Sequence, residues 1–206
     1  MRTPRRTVQI LALFTIAIGG YGLWSNTSTQ SAQAQDMGRT YASPQSSAMS
    51  AEQTNQVWEA LESSHWISDG NEDADRIVYT FTDANCPYCK AFWEEARPWI
   101  DDEQVELRHI LVGIIREDSA AKAAWLLEQE DPEQALTAHS NGSRPAKAES
   151  HTGGARRQVH ENNQLFRSLG LAATPTSIAR KNNQLLPVPG LPQGQRLELL
   201  MGSSRP

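Results

Sequence analysis

The chain has 206 residues, a hydrophobic fraction of 38% and a formal net charge of −5, room for one ordinary domain with appendages and a core that needs no staples. The acidic balance argues against nucleic acid or anionic lipid as the main partner. Its two cysteines can make only one disulfide.

At the N-terminus, Arg2, Arg5 and Arg6 precede an acid-free apolar stretch at 8–23, followed by polar residues and the small-x-small sequence Ala32-Gln33-Ala34. That pattern predicts a secretory signal over 1–34, cut before Gln35, with the rest of the chain delivered to the periplasm. An uncleaved inner-membrane anchor competes, because 8–24 is nearly long enough to span a bilayer. Arg5-Arg6 also suggests twin-arginine export, against which Gln9 interrupts the expected apolar residues. All three routes cross the inner membrane, and loss of three arginines and no acids takes the net charge from −5 to −8.

Residues 35–50 are rich in Gln, Ser, Ala and Thr and read as a flexible tether. A linker-like amphipathic helix and turn fill 51–70: Ser50 can cap, Gln53 answers it, and Val57, Trp58, Leu61 and Trp66 recur at helical spacing before the turn Ser68-Asp69-Gly70-Asn71. A buried central strand follows at 76–82. Asp83-Ala84-Asn85 leads into Cys86, and Pro87 suits the first turn of a helix carrying Phe92, Trp93, Ala96 and Trp99, with Pro98 expected to kink it.

A second core strand is expected over 105–115, with Ile114 and Ile115 as its last apolar residues. Asp118 and Ser119 open an alanine-rich helix to Leu127, and Asp131-Pro132-Glu133-Gln134 opens another. Residues 140–154 read as a surface loop and 158–169 as a weaker helix stopped by Gly170. Two short strands about a polar turn at 181–184 and a C-terminal helix at 197–201 complete the chain.

The chemistry gathers at Cys86-Pro87-Tyr88-Cys89, where a strand feeds two thiols into the mouth of a helix. A bridge across two residues closes almost no loop and stabilises little, so the pair suits redox chemistry better than stapling. Residues three apart on a helix lie within disulfide range. Cys86, exposed at the helix start, gains from unpaired amides and the helix dipole and is the expected nucleophile; Cys89, one turn in, is shielded and resolves the mixed disulfide. Lys90 is expected to face solvent, and Asp83 would oppose the thiolate if it faced the sulfur. A zinc site would need two further ligands, and His65, His109, His139, His151 and His160 lack the paired spacing. These histidines are expected on the surface or in packing, and Trp58, Trp66, Trp93, Trp99 and Trp125 in the core.

The run 77–83 with Cys86-Pro87-Tyr88-Cys89-Lys90-Ala91-Phe92-Trp93 and Ala96-Arg97-Pro98-Trp99 resembles the thioredoxin-fold catalytic domain of the periplasmic DsbC/DsbG disulfide isomerases, with the DsbG branch nearer. The resemblance extends through Leu111-Val112-Gly113-Ile114-Ile115, Leu169-Gly170, Thr174-Pro175 and Val188-Pro189-Gly190-Leu191-Pro192, covering about 57–203. It implies an α/β thioredoxin-like domain over 71–206, a central mixed sheet flanked by helices, with a helical insertion at about 116–168. It implies that Thr174-Pro175 is a cis-proline loop facing the thiols, so that Thr174, Pro175, Pro87 and Tyr88 touch substrate.

The expected activity is disulfide reduction or isomerisation on exported proteins carrying disulfides or oxidised thiols, with a DsbD-type membrane reductant. No metal and no cofactor beyond the Cys86–Cys89 pair is expected. The stretch from Gln35 to about Asn55 is too short and too polar to build the family's dimerisation domain, which predicts a monomer without the client cleft. A non-catalytic binding or chaperone module on the same fold is the alternative.

Overall fold

The computed structural model describes residues 49–149 and 152–206. The expected signal at 1–34, and all but the last two residues of the expected tether, lie outside the described residues. The first helix, α1 (Ala51–Glu62), starts where the sequence places it. Ser50 Oγ accepts from the Gln53 N–H at 3.1 Å, and Gln53 Oε1 accepts from the Ser50 N–H at 2.9 Å, so two orphan donors are satisfied reciprocally.

The next element departs from expectation. Trp66 does not extend the helical stripe, and 66–70 is not a turn: strand β1 (Trp66–Gly70) pairs antiparallel with β3 (Val105–Val112), placing Ile67 opposite His109 and Asp69 opposite Leu107. Its inward positions are Ile67 and Asp69, and a buried carboxylate on the inner face erases the apolar alternation that would reveal a strand.

Strand β2 (Arg76–Asp83) runs parallel to β3, joined by helix α2 (Pro87–Asp101), the crossover a parallel pair needs. α2 contains Pro98 and continues to Asp101. Strands β4 (Thr176–Lys181) and β5 (Gln184–Pro189) add antiparallel, giving the mixed order β1-β3-β2-β4-β5. Asn182 and Asn183 turn the β4–β5 hairpin at φ 50° and 58°, the left-handed pair that matches strand twist. Pro187 and Pro189 lie on β5, at the sheet edge, where a missing N–H breaks no ladder.

β3 ends at Val112, three residues short of expectation, and Ile114 and Ile115 are 38% and 45% exposed. Their N–H groups leave the ladder and donate to Asp83 Oδ2 at 2.8 and 3.0 Å. Gly113, between strand and loop, allows a close approach: a Cβ there would lie 2.3 Å from Ala120 Cα.

Between β3 and β4 come α3 (Ser119–Leu127), α4 (Pro132–Ser140) and α5 (Gly153–Ser168). Asp131 caps α4, accepting from the Gln134 N–H at 2.9 Å, with Pro132 at the first position. α5 begins five residues before the expected 158, because its glycine- and arginine-rich first turn carries no apolar signal. The C-terminal helix α6 spans Gln195–Met201.

Strand alternation sends Val78, Val105 and Leu107 to one face, against Phe92, Ala96 and Trp99 of α2 and Leu197 and Leu200 of α6. Tyr79, Phe81, Ile110 and Val112 take the other face, against Leu61 of α1 and Phe166 of α5. Trp125, Leu126 and Leu136 pack with Leu111 and Ile67 in a third cluster. Thr80, Thr82, His109 and Asp69 share the α2 face, a buried polar patch beside the apolar cluster.

Candidate active site

The C-terminal end of β2 carries the site. Asp83, 1% exposed, accepts four hydrogen bonds: Oδ1 from the Asn85 N–H and the Ser119 hydroxyl, both at 2.8 Å, and Oδ2 from the Ile114 and Ile115 N–H groups. The Asn85 amide donates to Asp118 Oδ1 and Ser119 Oγ at 2.8 and 2.9 Å, and Lys122 Nζ donates to Asn85 Oδ1 at 2.8 Å. The segment before Cys86 is thereby bolted to α3. Every Asp83 lone-pair direction has a donor, so the carboxylate acts as a brace.

Cys86 is the N-cap of α2, with Pro87 at the first helical position. Its extended backbone, φ −85° and ψ 112°, turns Sγ back over the helix mouth, where it accepts the Cys89 N–H at 3.2 Å. A sulfur thus takes the place of the oxygen that ordinarily satisfies an orphan donor there. Both thiols are free, at 5% and 4% exposure for Cys86 and Cys89. Cys86 is therefore covered, contrary to the expectation that it stands exposed, because the Thr174 loop lies against it.

The asymmetry between the sulfurs is one of hydrogen bonding. The Cys89 thiol, working against burial and aided by Thr174 and the N–H groups of Cys89 and Tyr88, lowers the Cys86 pKa to about 6. Burial first, and then the adjacent Cys86 sulfur, push the Cys89 thiol well up. Pro87 is exposed and Tyr88 is 63% exposed, so both stand beside the thiols at the surface. Lys90 is exposed too, 4.0 Å from Glu94.

The Thr174–Pro175 bond is cis. The Cys86 thiol donates to the Thr174 carbonyl at 3.3 Å, and the buried Thr174 Oγ1 has no hydrogen-bond partner of its own. The loop is held from behind: the Gly190 N–H donates to the Pro175 carbonyl at 2.7 Å, and the Thr176 hydroxyl to the Ala173 carbonyl at 2.7 Å. Gly190, just after β5, thus supports the loop that faces the thiols. All six residues singled out in the sequence fall at this end of the sheet.

A cavity of about 290 Å³ opens beside the thiols, lined in part by Cys86, Cys89, Thr82, Trp93, His109 and His139. Neither histidine is a surface residue. His139 Nε2 lies 2.9 Å from the Ala84 carbonyl and its Nδ1 accepts the Ala146 N–H at 3.0 Å, which fixes a neutral ring; burial lowers its pKa. His109, 1% exposed, places Nδ1 3.1 Å from Thr82 Oγ1 and Nε2 3.4 Å from Asp69 Oδ2. Arg97 forks the Asp69 carboxylate and stacks 4.2 Å above the Trp93 ring. Burial raises the Asp69 pKa, but His109 and Arg97 more than offset it and the net shift is downward. A histidine at an inward-facing strand position, in phase with Val105 and Leu107, was the available signal for His109; nothing local marks His139. Among the described residues no cluster of three or more His, Cys, Asp or Glu is arranged to hold a metal ion.

The chain is 43% identical over 151 residues to the thiol:disulfide interchange protein DsbG of Pseudomonas aeruginosa and 38% identical over 152 residues to DsbG of Escherichia coli. These matches cover 71% and 72% of this chain but 59% and 61% of the relatives, so the chain spans about three fifths of their length. Among solved structures, the catalytic domain of Proteus mirabilis ScsC superposes with a TM-score of 0.60 at 23% identity, covering 75% of this chain and 97% of that one. A periplasmic thioredoxin-like protein from Salmonella enterica serovar Typhimurium gives 0.55 at 18% identity, covering 72% and 95%. Both likenesses speak to the fold. The thioredoxin-like domain model matches residues 67–203, which take in all five strands but for the first residue of β1. With its mixed sheet and its paired thiols at the mouth of α2, the chain belongs to the thioredoxin-like domain family.

Proposed function

We propose that this domain performs thiol–disulfide exchange on exported proteins, as a reductase or isomerase. The observation that carries the reading is Cys86 Sγ at the mouth of α2, accepting the N–H of Cys89 at 3.2 Å, with a pKa lowered to about 6. At neutral pH that sulfur is largely thiolate, the species that attacks disulfides.

In the proposed cycle the Cys86 thiolate attacks a client disulfide. The client S–S bond breaks, a Cys86–client disulfide forms, and the client's second sulfur leaves as thiolate. Cys89 then gives up its proton and attacks Cys86 Sγ, closing the Cys86–Cys89 disulfide and releasing the client thiolate. Thr174 and Pro175 receive the client backbone, and the exposed Pro87 and Tyr88 border it. An oxidised client thiol such as a sulfenic acid enters the same cycle, losing water as the mixed disulfide forms.

A membrane reductant of DsbD type would return the pair to the dithiol, and periplasmic residence and a monomeric state complete the proposal. Similarity to DsbG supports the substrate class. Insulin reduction by the full chain tests it: turnover that disappears in Cys86→Ala supports the reading, and absence of thiol-dependent turnover overturns it. A reduction potential near −120 mV, the range of a strong oxidant, would overturn the reductase direction. Light scattering tests the monomer.

A further inference from the structure

The cavity beside the thiols has a charge and a hydrogen-bonding sense of its own. Lys90 of α2, Arg116 of the loop after β3 and Lys122 of α3 all line it, against a single carboxylate, Asp83. A run of charge along one helix is an ordinary solvated face. Here cations from three separate segments converge on one cavity of about 290 Å³ that also holds Cys86. The chain as a whole is acidic, with a formal net charge of −5, so the local sign opposes the global one.

Acceptors in this cavity are largely engaged. Asp83 takes four donors, Asn85 Oδ1 takes Lys122 Nζ, and His139 Nδ1 takes the Ala146 N–H. Donors are what remain. Trp93, 7% exposed, lines the cavity, and its Nε1–H is buried without a hydrogen-bond partner. Lys90 is exposed, and Glu94 at 4.0 Å is a surface partner that holds it weakly. The exposed Arg116 guanidinium forms no hydrogen bond or ion pair among the described residues. Lys122 is the tied cation, 2.8 Å from both Asp118 Oδ2 and Asn85 Oδ1.

A group that accepts hydrogen bonds and carries negative charge fits that surplus. The cavity has room for a side chain, and Cys86 lines it, so the group belongs close to the disulfide under attack. We propose that Lys90 and Arg116 select client cysteines flanked by acidic residues, the flanking carboxylate seating in the cavity while Cys86 attacks the client disulfide. This rests on the exchange cycle proposed above, whose bonds made and broken are unchanged, and it names the substrate class. The two cations also offset the repulsion between the client carboxylate and the incoming Cys86 thiolate, which in water slows attack on a disulfide with acidic neighbours.

The test uses the reduced full chain and three disulfide-linked peptide dimers, identical except that Glu, Gln or Lys flanks the cysteine. Released peptide thiol is followed by chromatography after an acid quench. Each rate is divided by the rate of the same peptide with dithiothreitol, which removes intrinsic reactivity. At low ionic strength the normalised rate of the Glu peptide should exceed that of the Lys peptide about tenfold, the low end of electrostatic steering. The ratio should fall toward one at about 0.5 M salt, where the Debye length is only a few ångströms.

The net charge of the chain alone predicts the reverse order, so bulk repulsion and cavity recognition differ in sign. Lys90→Gln combined with Arg116→Gln should bring the ratio to one or below, whereas Arg116→Lys, which keeps the charge, should hold it near the wild-type value. The Gln peptide is the reference for each variant, so a change in Cys86 reactivity cancels. Equal normalised rates or a preference for the Lys peptide in wild type overturns the selection, and so does a Glu preference that survives the double substitution. Glutathione disulfide reduced faster than the Glu peptide assigns the cavity to a small anionic thiol and overturns the client side chain. If the wild-type chain reduces no peptide, the exchange reading fails and this inference with it; reduction of all three alike overturns this inference alone.

Discussion

Ser119 donates its hydroxyl proton to Asp83 Oδ1 at 2.8 Å, and both residues are buried, at 0% and 1% exposure. That contact joins the end of β2 to the start of α3 and, through the Asn85 and Ile114–Ile115 N–H groups on the same carboxylate, fixes the approach to Cys86. Asp83→Asn turns one acceptor oxygen into a donor facing donors. It should cost about 2–3 kcal/mol, the range for a charge-assisted bond lost with a buried group left unsatisfied, read as a lower urea midpoint at unchanged slope.

The Cys86 thiol should titrate with a midpoint of about 6 in the reduced protein. Thiolate absorbance near 240 nm and the rate of iodoacetamide alkylation should rise together through that pH. Thr174→Val removes a side-chain hydroxyl that helps to lower the Cys86 pKa and should move both midpoints upward.

Stability should follow the same group. A thiol with a folded pKa of about 6 and an unfolded one of about 8.5 is ionised in the folded state while the unfolded state still holds its proton. Stability of the reduced form should therefore rise with pH between those values and be lost as pH falls through about 6. Above that window Cys89, shifted up, acts in the opposite sense. Urea titrations at a series of pH values should show the rise in wild type and a flatter curve in Cys86→Ala.

Asp69 sets a second dependence. Its lowered pKa adds stability that is full above the ordinary carboxylate range and lost as pH falls through the folded value. Asp69→Ala strands Arg97 beside the Trp93 ring. The expected cost is about 3–5 kcal/mol, typical for breaking a buried pair from one side, measured by thermal melting.

Gly113→Ala should be destabilising by about 1–3 kcal/mol, as for an overpacked site, because the added Cβ would lie 2.3 Å from backbone of Ala120. Ala120→Gly should not rescue it, since the clash is with Cα and N as well as Cβ.

Much of this fold was legible because its signals are local. The Ser50–Gln53 box, the Asp131–Pro132 start of α4 and the apolar runs of β2 and β3 are short-range patterns, and each element begins where those residues put it. β1 was not legible, since its inward face mixes Ile67 with Asp69, and the partners that make that carboxylate tolerable, Arg97 and His109, come from α2 and β3. Ile114 and Ile115 read as strand on apolar character, whereas the Asp83 carboxylate, 31 residues away from Ile114, takes their N–H groups out of the ladder. At the site, Cys86, Cys89 and Thr174–Pro175 were found by motif and resemblance. The cover over Cys86 comes from the Thr174 loop and the cavity's histidines from β3 and α4, parts that meet only in the folded chain.

The prolines of β5 have a consequence for how a client is held. Pro187 and Pro189 occupy alternate positions on the outer strand, so the outward row of that strand lacks donors at two successive outward positions. An extended polypeptide seeking to lengthen the sheet finds acceptors there without matching donors. For the exchange cycle proposed above, such an outer strand would give an extended chain little to hold and would leave the short loop ahead of β4 as the place to meet it.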